Sequence, residues 1–442
     1  MTPHRIRRII LDNGLRVLLA PDDATPAVGI AVHYAVGFRT EPAGRSGLAH
    51  LFEHLVFQGG GSVPPGDHLR LVQDAGGRCD ASTRQDVTVY HSAAPASALD
   101  LLLFLEAERM RAPHITEENL RSQTAVIGEE IGLALRNRPY GCYPWILPKA
   151  LFSRSENTRD GYGETADLAA VELSDCREFF ARYYAPANAH LTLAGGFDPG
   201  AAAGLVRRHF GRLPGREPPP APRLAEPPAR ERTRTRVTDP HARMPALGAA
   251  LPLPDPATGR DAYLAHLALA SLLAQGGDAP LRRRLRGQAS GVTSLSVGCG
   301  LFGVPMETRG PDLLTVFAVH GPPAPRTAGG GAGGGPGGAD AVLTALDEEV
   351  AEVAERGPEP DRLGRVTARW AAAALRELGD PAVRARLLGT REVLFGEAEL
   401  TDGLPRLLRE RATPERVRDA AAALRSHGRA AVLIDPAAGA AA

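Results

Sequence analysis

HLFEH at residues 50–54 is the stretch of this sequence that decides the fold. On a helix, His50 and His54 lie four residues apart on one face, so both imidazoles can reach a single metal ion. Glu53 lies beside them, close enough to the same metal to act as a general base. The alternative is an amphipathic helix whose polar residues follow this order by coincidence. The flanking sequence decides between the two interpretations.

The sequence on both sides of this stretch carries a regular series of strand and turn signals. Residues 11–19 are predicted to form a strand entered through an Asn-Gly turn, and residues 28–36 a second strand. The helix is predicted to end at residues 57–59. Downstream, a Gly-Gly turn at residues 76–83 precedes an alternating strand at residues 86–90.

This order of strand, turn, strand, H-x-x-E-H helix, Gly-Gly turn and strand resembles the pitrilysin/insulinase family of zinc metallopeptidases, the inverzincins. Within that family it is similar to the short-chain branch that includes mitochondrial processing peptidase. The resemblance covers essentially the whole chain, with a weaker match in the second half. It implies an α+β fold of two homologous α/β-sandwich halves that form a clamshell. Each half is expected to have an antiparallel-rich sheet with helices on one face.

A third metal ligand is expected, because a catalytic zinc usually has three protein ligands and an open position. A long helix is predicted at about residues 117–135, and the resemblance implies that Glu130 in this helix is the distal ligand. Glu129 is the alternative, although it is rotated by about 100° around the helix. A further alternative is that both carboxylates are solvated. The resemblance therefore implies one Zn²⁺ per chain, held by His50, His54 and Glu130.

Two positions around this centre depart from the family pattern. Gln123 stands where the family often has a supporting glutamate, and it is expected beside the ligands together with Glu129. A neutral amide still donates and accepts hydrogen bonds, but it adds no charge that would raise ligand basicity. Asp80-Ala81 replaces a family Asn-Ala pair at the cleft, and both residues are expected to contact substrate. An ionised aspartate accepts but does not donate hydrogen bonds, and a simple turn carboxylate is the alternative.

The second half lacks the carbonyl-side donors that the resemblance implies. The family carries Arg-x-x-x-Gly-Leu-x-Tyr, whereas residues 285–294 here place Ser294 at the tyrosine position and Gly287 at the arginine position. Arg286 fits only with a shift of one residue and is kept as a candidate substrate contact. The chain is therefore expected to be the zinc-bearing subunit of a heterodimer whose zincless paralogue supplies both donors, or otherwise a homodimer.

The expected function is that of a zinc-dependent endopeptidase that cleaves peptides or unfolded segments. In this interpretation Glu53 is the general base, and the substrate adds as an extended strand to a sheet edge. The rival interpretation is a non-catalytic scaffold or partner subunit of the same fold.

Length and composition give the domain organisation. The 442 residues fit two domains, predicted at 1–213 and 236–442, joined by a Pro/Arg-rich linker at 214–235. The second domain is expected to repeat the first without a metal site. A glycine-rich segment at 327–338 is predicted to be a flexible loop because of its composition. It has no phosphate-binding pattern, so nucleotide binding has no support.

Charge and cysteine usage exclude several classes of protein. The basic and acidic residues number 51 each, so binding to nucleic acid or to a membrane has no electrostatic support. The four cysteines are scattered without C-x-x-C spacing, which indicates neither a disulfide framework nor a structural zinc. With no signal-peptide or membrane-spanning pattern evident, a cytoplasmic protein is expected.

Overall fold

The computed structural model describes residues 6–286, 291–321 and 338–437. Gly287 and residues 327–337 of the predicted glycine-rich loop lie outside these ranges. The described residues form eleven strands and sixteen α-helices. The strands are β1 (Arg7–Ile10), β2 (Arg16–Pro21), β3 (Ala27–Tyr34), β4 (Arg78–Thr83), β5 (Thr88–Pro95), β6 (Ala189–Gly195), β7 (Arg232–Asp239), β8 (Ala246–Leu253), β9 (Ser294–Cys299), β10 (Asp312–Val319) and β11 (Arg429–Pro436). The helices are α1 (Leu48–Leu55), α2 (Asp67–Asp74), α3 (Leu99–Arg111), α4 (Glu117–Ile131), α5 (Tyr143–Leu151), α6 (Ser155–Thr158), α7 (Thr165–Ala169), α8 (Leu173–Tyr183), α9 (Pro199–Phe210), α10 (Arg260–Ala274), α11 (Pro280–Arg286), α12 (Gly338–Arg356), α13 (Pro360–Glu377), α14 (Pro381–Phe395), α15 (Leu400–Arg411) and α16 (Pro414–Ser426).

The chain forms two compact units that are each discontinuous in sequence. The first unit comprises Met1–Glu130, Arg159–Arg223 and Ala373–Leu404, and the second comprises Ile131–Thr158, Leu224–Ala372 and Pro405–Ala442. These units differ from the predicted continuous domains in two exchanged segments. The segment 373–404 contributes α14 to the first unit, and the segment 131–158 contributes α5 to the second.

The sheet of the first unit has the order β1-β2-β6-β3-β5-β4. The pair β2–β6 is parallel, and the other neighbouring pairs are antiparallel. Strand β3 is apolar and buried almost throughout, as expected for a central strand covered on both faces. Strand β4, which the sequence predicted to be a turn, ends the sheet. Its polar residues give no hydrophobic alternation, and it needs only one partner strand.

Helices cover both faces of this sheet, where the sequence predicted one covered face. On one face, α14 packs against β3 and β6, and His33 Nε2 hydrogen-bonds Thr390 Oγ1 at 3.1 Å. On the other face, the Arg109 guanidinium of α3 lies 4.4 Å from the Tyr90 ring of β5. The small residues Ala31 and Ala385 meet in the core beneath α14.

The sheet of the second unit repeats the same strand order. Its order is β7-β11-β8-β10-β9, and β7–β11 is its parallel pair. When the strands of the first unit are counted from β2, both sheets place the first strand beside the fifth, followed by the second, fourth and third. The predicted architectural repeat is therefore confirmed, with β1 as an additional edge strand in the first unit. Strand β7 begins inside the predicted linker. Helix α5 packs on this sheet, where Tyr143 stacks on Phe317 with ring centroids 4.4 Å apart.

The helices of the described residues are all too short or too polar to cross a lipid bilayer.

Candidate metal centre

Helix α1 buries its apolar face in the core of the first unit, which leaves the H-x-x-E-H residues on another face. Leu51, Phe52 and Leu55 are each 0% exposed and fix the helix against the core of the first unit. The 3.6-residue period then places the two histidines together on another face. Their ring centroids lie 4.9 Å apart in an edge-to-face arrangement.

The N-terminus of α1 is capped by a buried carboxylate from outside the helix. Glu41, 3% exposed, accepts hydrogen bonds from the backbone N–H groups of Gly47 at 3.0 Å and Ala49 at 2.8 Å. These N–H groups would otherwise lack partners at the helix start. Burial raises the pKa of Glu41 to about 8, against the opposing effect of both hydrogen bonds. The cap therefore fixes the start of a short helix that carries three functional residues.

The structure brings together His50, His54 and Glu130. The Oε2 atom of Glu130 lies 3.7 Å from His50 Nε2 and 3.4 Å from His54 Nε2. Among the described residues, these three form the single group able to hold a metal, with candidate ligand atoms within 4.8 Å of one another. A tetrahedral zinc with bonds of about 2.0–2.1 Å holds its ligand atoms about 3.3 Å apart. Two imidazole nitrogens and one carboxylate oxygen therefore fit Zn²⁺ in both chemistry and spacing.

The electrostatics of His50 and Glu130 favour the protonation states that metal ligands need, whereas those of His54 favour its protonated ring. Burial, reinforced by His54, lowers the pKa of His50 to about 4 and keeps its imidazole neutral. The hydrogen bond from His54 lowers the pKa of Glu130 and keeps it ionised. Burial alone would lower the pKa of His54, but the hydrogen bond and charge of Glu130 raise it. A metal cation would thus compete with a proton for the His54 ring.

Glu53 has the properties of a general base. Its side chain is half-buried, and burial raises its pKa, although a hydrogen bond with Thr83 opposes the shift. A carboxylate with a raised pKa holds a proton more readily during a reaction. Thr83 belongs to β4 and also donates to the Ala49 carbonyl at 3.4 Å. The base is therefore supported by the edge strand next to α1.

The two residues expected around the ligands lie in different environments. Gln123 is 8% exposed and hydrogen-bonds His54. Glu129 is exposed on α4 and is outside the ligand group. The rotation between consecutive helical residues explains why Glu129 points away while Glu130 reaches the histidines.

The three residues expected to contact substrate are not members of the ligand group. The charge of Asp80 does act on Glu53, whose pKa it helps to raise. Asp80 and Ala81 lie on β4, where Asp80 is exposed and its Oδ1 accepts a hydrogen bond from the Ala81 N–H at 2.9 Å. That bond is local, as in a simple turn carboxylate. Arg286 is exposed at the end of α11 in the second unit.

Two family profiles match this sequence. The profile described as insulinase (peptidase family M16) matches residues 16–138, and the profile described as peptidase M16 inactive domain matches residues 170–368. The first of these includes all three candidate ligands and Glu53. The chain belongs to the insulinase family of peptidases.

Relatives of this insulinase-family chain include proteins named as zinc proteases. The zinc protease PqqE of Helicobacter pylori is 31% identical over 214 residues, which cover 46% of this chain and 46% of PqqE. An uncharacterized zinc protease of Streptomyces coelicolor is 25% identical over 409 residues, covering 90% of this chain and 83% of that protein. The chain thus spans about half the length of the Helicobacter relative and most of the Streptomyces one.

A solved structure shows the same fold over the whole chain. The crystal structure of a protease from Helicobacter pylori matches with a TM-score of 0.84 and 21% sequence identity. The match covers 98% of this chain and 99% of that one. The two-half fold of the insulinase family is therefore established for this protein.

Tyr162 is a site residue that sequence reasoning missed in this insulinase-family chain. It hydrogen-bonds Glu130, and its ring lies 5.2 Å from the His50 ring in an edge-to-face contact. The residue lies in a loop between Gly161 and Gly163, so no helical or strand spacing points to it. The one available signal was an aromatic residue flanked by glycines.

A buried arginine beneath the site was also missed. The Arg109 guanidinium lies between the rings of Phe57 and Tyr90, at 4.3 and 4.4 Å from their centroids. It also hydrogen-bonds His68 Nε2 at 2.6 Å. Burial, reinforced by this cation, lowers the pKa of His68 to about 2, so the imidazole is neutral and accepts the bond. Because Phe57 directly follows α1, this network stabilises the C-terminal end of the metal-site helix.

Proposed function

We propose that this protein is a zinc-dependent endopeptidase that cleaves peptides or unfolded segments. The observation that carries the proposal is the convergence of His50, His54 and Glu130 beside the carboxylate of Glu53. Degenerate scaffold proteins of this kind are expected to lose ligands or base, and this chain has all four residues. The zinc proteases among its relatives support the same class of reaction.

The four residues of the site have two roles, metal binding and proton transfer. His50, His54 and Glu130 would hold the zinc ion, which when bound supplies a Lewis acid that acidifies water and polarises a carbonyl. Glu53 accepts a proton from the attacking water and returns it to the leaving amine. Its raised pKa suits both halves of this transfer, because the carboxyl group must hold the proton between the two steps.

The substrate is proposed to bind as an added strand on β4. Among the described residues β4 pairs only with β5, so its other edge presents unpaired backbone groups. This strand also contacts α1 through Thr83. An extended peptide hydrogen-bonded to β4 would gain affinity from its main chain, with little dependence on side-chain identity. In a folded protein most strands are already paired on both edges, which favours unfolded segments as substrates.

The protein is proposed to act as the catalytic subunit of a heterodimer with a zincless paralogue. Ser294, at the start of β9, replaces the tyrosine that the family pattern carries, and Arg286 is exposed on α11. A partner would supply the missing arginine and tyrosine donors to the substrate carbonyl. Donors of this kind lower a reaction barrier by roughly 3–4 kcal/mol. A homodimer is the alternative assembly.

The proposal is tested by metal analysis and peptide cleavage with and without a co-expressed zincless paralogue. The expected result is one zinc per chain and a cleavage rate that rises at least about 100-fold with the partner, as restored carbonyl donors predict. Glu53→Gln is expected to retain zinc and lose cleavage by about 10²–10⁴-fold. Glu118→Gln, an exposed change in the first turn of α4, is the matched control.

Equal cleavage with and without the partner contradicts the heterodimer. Bound zinc with no cleavage in either case contradicts the peptidase and favours a scaffold.

A further inference from the structure

Tyr162 touches two of the three candidate ligands from a loop outside the ligand-bearing helices. Its side chain hydrogen-bonds the Glu130 carboxylate, and its ring meets the His50 ring edge-on at 5.2 Å between centroids. His50 comes from α1 and Glu130 from α4, so a single side chain contacts ligands from two separate helices.

The loop that carries Tyr162 is tied to the segment before α1 by several hydrogen bonds. The Ser46 hydroxyl accepts from the Glu164 N–H at 2.9 Å and donates to Asp167 Oδ2 at 2.7 Å. The Asp160 Oδ1 accepts from the Gly163 N–H at 2.7 Å. Arg159 donates to the carbonyl oxygen of Glu41, the same residue whose side chain caps α1. Tyr162 is therefore held by bonds on both sides of its position.

Backbone packing leaves this loop no room to shift toward α1. A Cβ atom on Gly163 would lie 2.4 Å from the Gly47 backbone nitrogen, and one on Gly47 would lie 2.7 Å from the Tyr162 carbonyl oxygen. Both glycines also have φ values near +80 to +90°, at 79° and 90°. Other residues rarely adopt this conformation. The two segments are thus fitted directly against each other beside the histidines.

Gln123 of α4 supports the third ligand of the group. The amide of Gln123 hydrogen-bonds His54, so this histidine is also held by a neighbouring side chain. Metal-ligating side chains generally need a further hydrogen bond that fixes their orientation, and its loss costs about 10–100-fold in metal affinity or activity. In the described structure the Tyr162 hydroxyl supplies such a bond to Glu130.

We infer that Tyr162 is a positioning residue of the metal centre, holding Glu130 through its hydroxyl and His50 through its ring. The inference rests on the zinc centre of the proposed function. It adds a residue from the loop between α6 and α7 to a site otherwise built from α1 and α4. Tyr162 acts through the ligands and is not assigned a contact with substrate.

The test measures zinc affinity directly, with Zn²⁺ alone as the probe in competition with a chromogenic chelator. Tyr162→Phe keeps the ring and removes the hydroxyl, and it is expected to weaken zinc binding by about 10-fold or more. Tyr183→Phe is the matched control, since it removes a hydroxyl that donates to the Thr40 carbonyl at 3.0 Å in the same unit. The control is expected to leave zinc affinity within about twofold, because that bond does not touch a ligand.

A double-mutant cycle with Glu130→Gln separates positioning from general loss of structure. Because the hydroxyl acts through Glu130, Tyr162→Phe should weaken zinc binding much less in the Glu130→Gln background. An equal loss in both backgrounds, or a Tyr162→Phe affinity within about twofold of the unmodified protein, overturns the inference while leaving the proposed function intact. An unmodified protein that binds no zinc overturns the metal centre and the proposed function together.

Discussion

At the scale of single residues, position around a helix decides which of two adjacent carboxylates serves the site. Glu130 lies 3.4 Å from His54, whereas its neighbour Glu129 is exposed. Both carry the same charge and the same reach. Only the helical rotation of about 100° per residue distinguishes them, because it directs Glu130 toward the histidines and Glu129 toward solvent.

Glu130→Gln and Glu129→Gln are a matched pair that tests this assignment. Glu130→Gln is expected to weaken zinc binding by at least about 100-fold, since it removes an anionic ligand from a three-ligand site. Glu129→Gln is expected to leave zinc affinity unchanged within about twofold. Isothermal titration with Zn²⁺ provides the measurement. A larger loss in the Glu129 variant would transfer the ligand role to that residue.

The lowered pKa of His68 predicts that the free energy of unfolding decreases at acidic pH. Burial lowers its folded-state pKa to about 2 from the ordinary value of 6.5, so the unfolded chain binds the proton more readily. The free energy of unfolding is therefore full above pH 6.5 and falls as the pH drops toward 2. One such group contributes a slope of about 1.4 kcal/mol per pH unit within this window.

The measurement for His68 is urea unfolding between pH 4.5 and 7.5 in His68→Gln and in the unmodified protein. His68→Gln is expected to show a flatter dependence of unfolding free energy on pH, because glutamine takes up no proton. His241→Gln replaces an exposed histidine and is the control, expected to keep the original slope. Equal slopes in all three proteins would show that His68 does not carry this dependence.

At the scale of elements, α14 lies against its sheet at a distance that only glycine permits. A Cβ atom on Gly389 would lie 2.3 Å from His33 Cε1 and 2.8 Å from Thr192 Oγ1. His33 is fully buried and hydrogen-bonded to Thr390, so its side chain cannot move away from an added Cβ atom. The contact holds a helix from the second half of the sequence on the sheet of the first unit.

Gly389→Ala is expected to destabilise the protein even though alanine favours helix. The helical preference contributes about 1 kcal/mol in favour of alanine, while overpacking costs about 1–3 kcal/mol. Gly403→Ala is the control, since Gly403 lies in α15 with nothing within 4 Å of its added Cβ. Thermal unfolding should lower the melting temperature of the first variant and maintain or raise that of the second. The opposite order would show that α14 does not pack tightly at Gly389.

Sequence patterns predicted the elements of the site better than their surroundings. Strand β3 follows a continuous apolar run and α4 a long helical stretch, and the H-x-x-E-H spacing places His50 and His54 on one face of α1. Strand β4 was missed because its polar residues carry no such pattern. Tyr162 was missed because a loop position follows from hydrogen bonds such as those of Ser46, which no local pattern encodes.

At the scale of the whole molecule, the exchanged segments could not be predicted from local sequence. The periodicity of α14 indicates that one of its faces is apolar, but it does not indicate which sheet that face covers. The same holds for α5. The repeat of strand order in the two units means that either sheet offers a similar surface, so the pairing is decided by particular contacts such as His33 with Gly389.

A fragment experiment tests the composition of the first unit. A fragment made of residues 1–130 joined through a Gly/Ser linker to residues 159–223 omits the segment that packs on the second sheet. It is expected to bind a hydrophobic dye and aggregate, because the face around Ala31 and Ala194 is left uncovered. The same fragment joined through a Gly/Ser linker to residues 373–404 is expected to remain soluble with little dye binding. A version of this fusion with Leu388→Asp is the control, since it places a charge in the covered face. If the fragment without residues 373–404 is soluble and binds no dye, the assignment of α14 to this unit is contradicted.

The exchange of segments also sets the order in which the protein matures during synthesis. Both histidines, Glu53 and Glu130 leave the ribosome early, yet the sheet behind them gains its second cover only when α14 has been translated. The sheet that carries the candidate zinc centre therefore has one uncovered face while most of the second unit is being translated. A chain released before residue 381 would carry every candidate ligand on a sheet that still has one uncovered face.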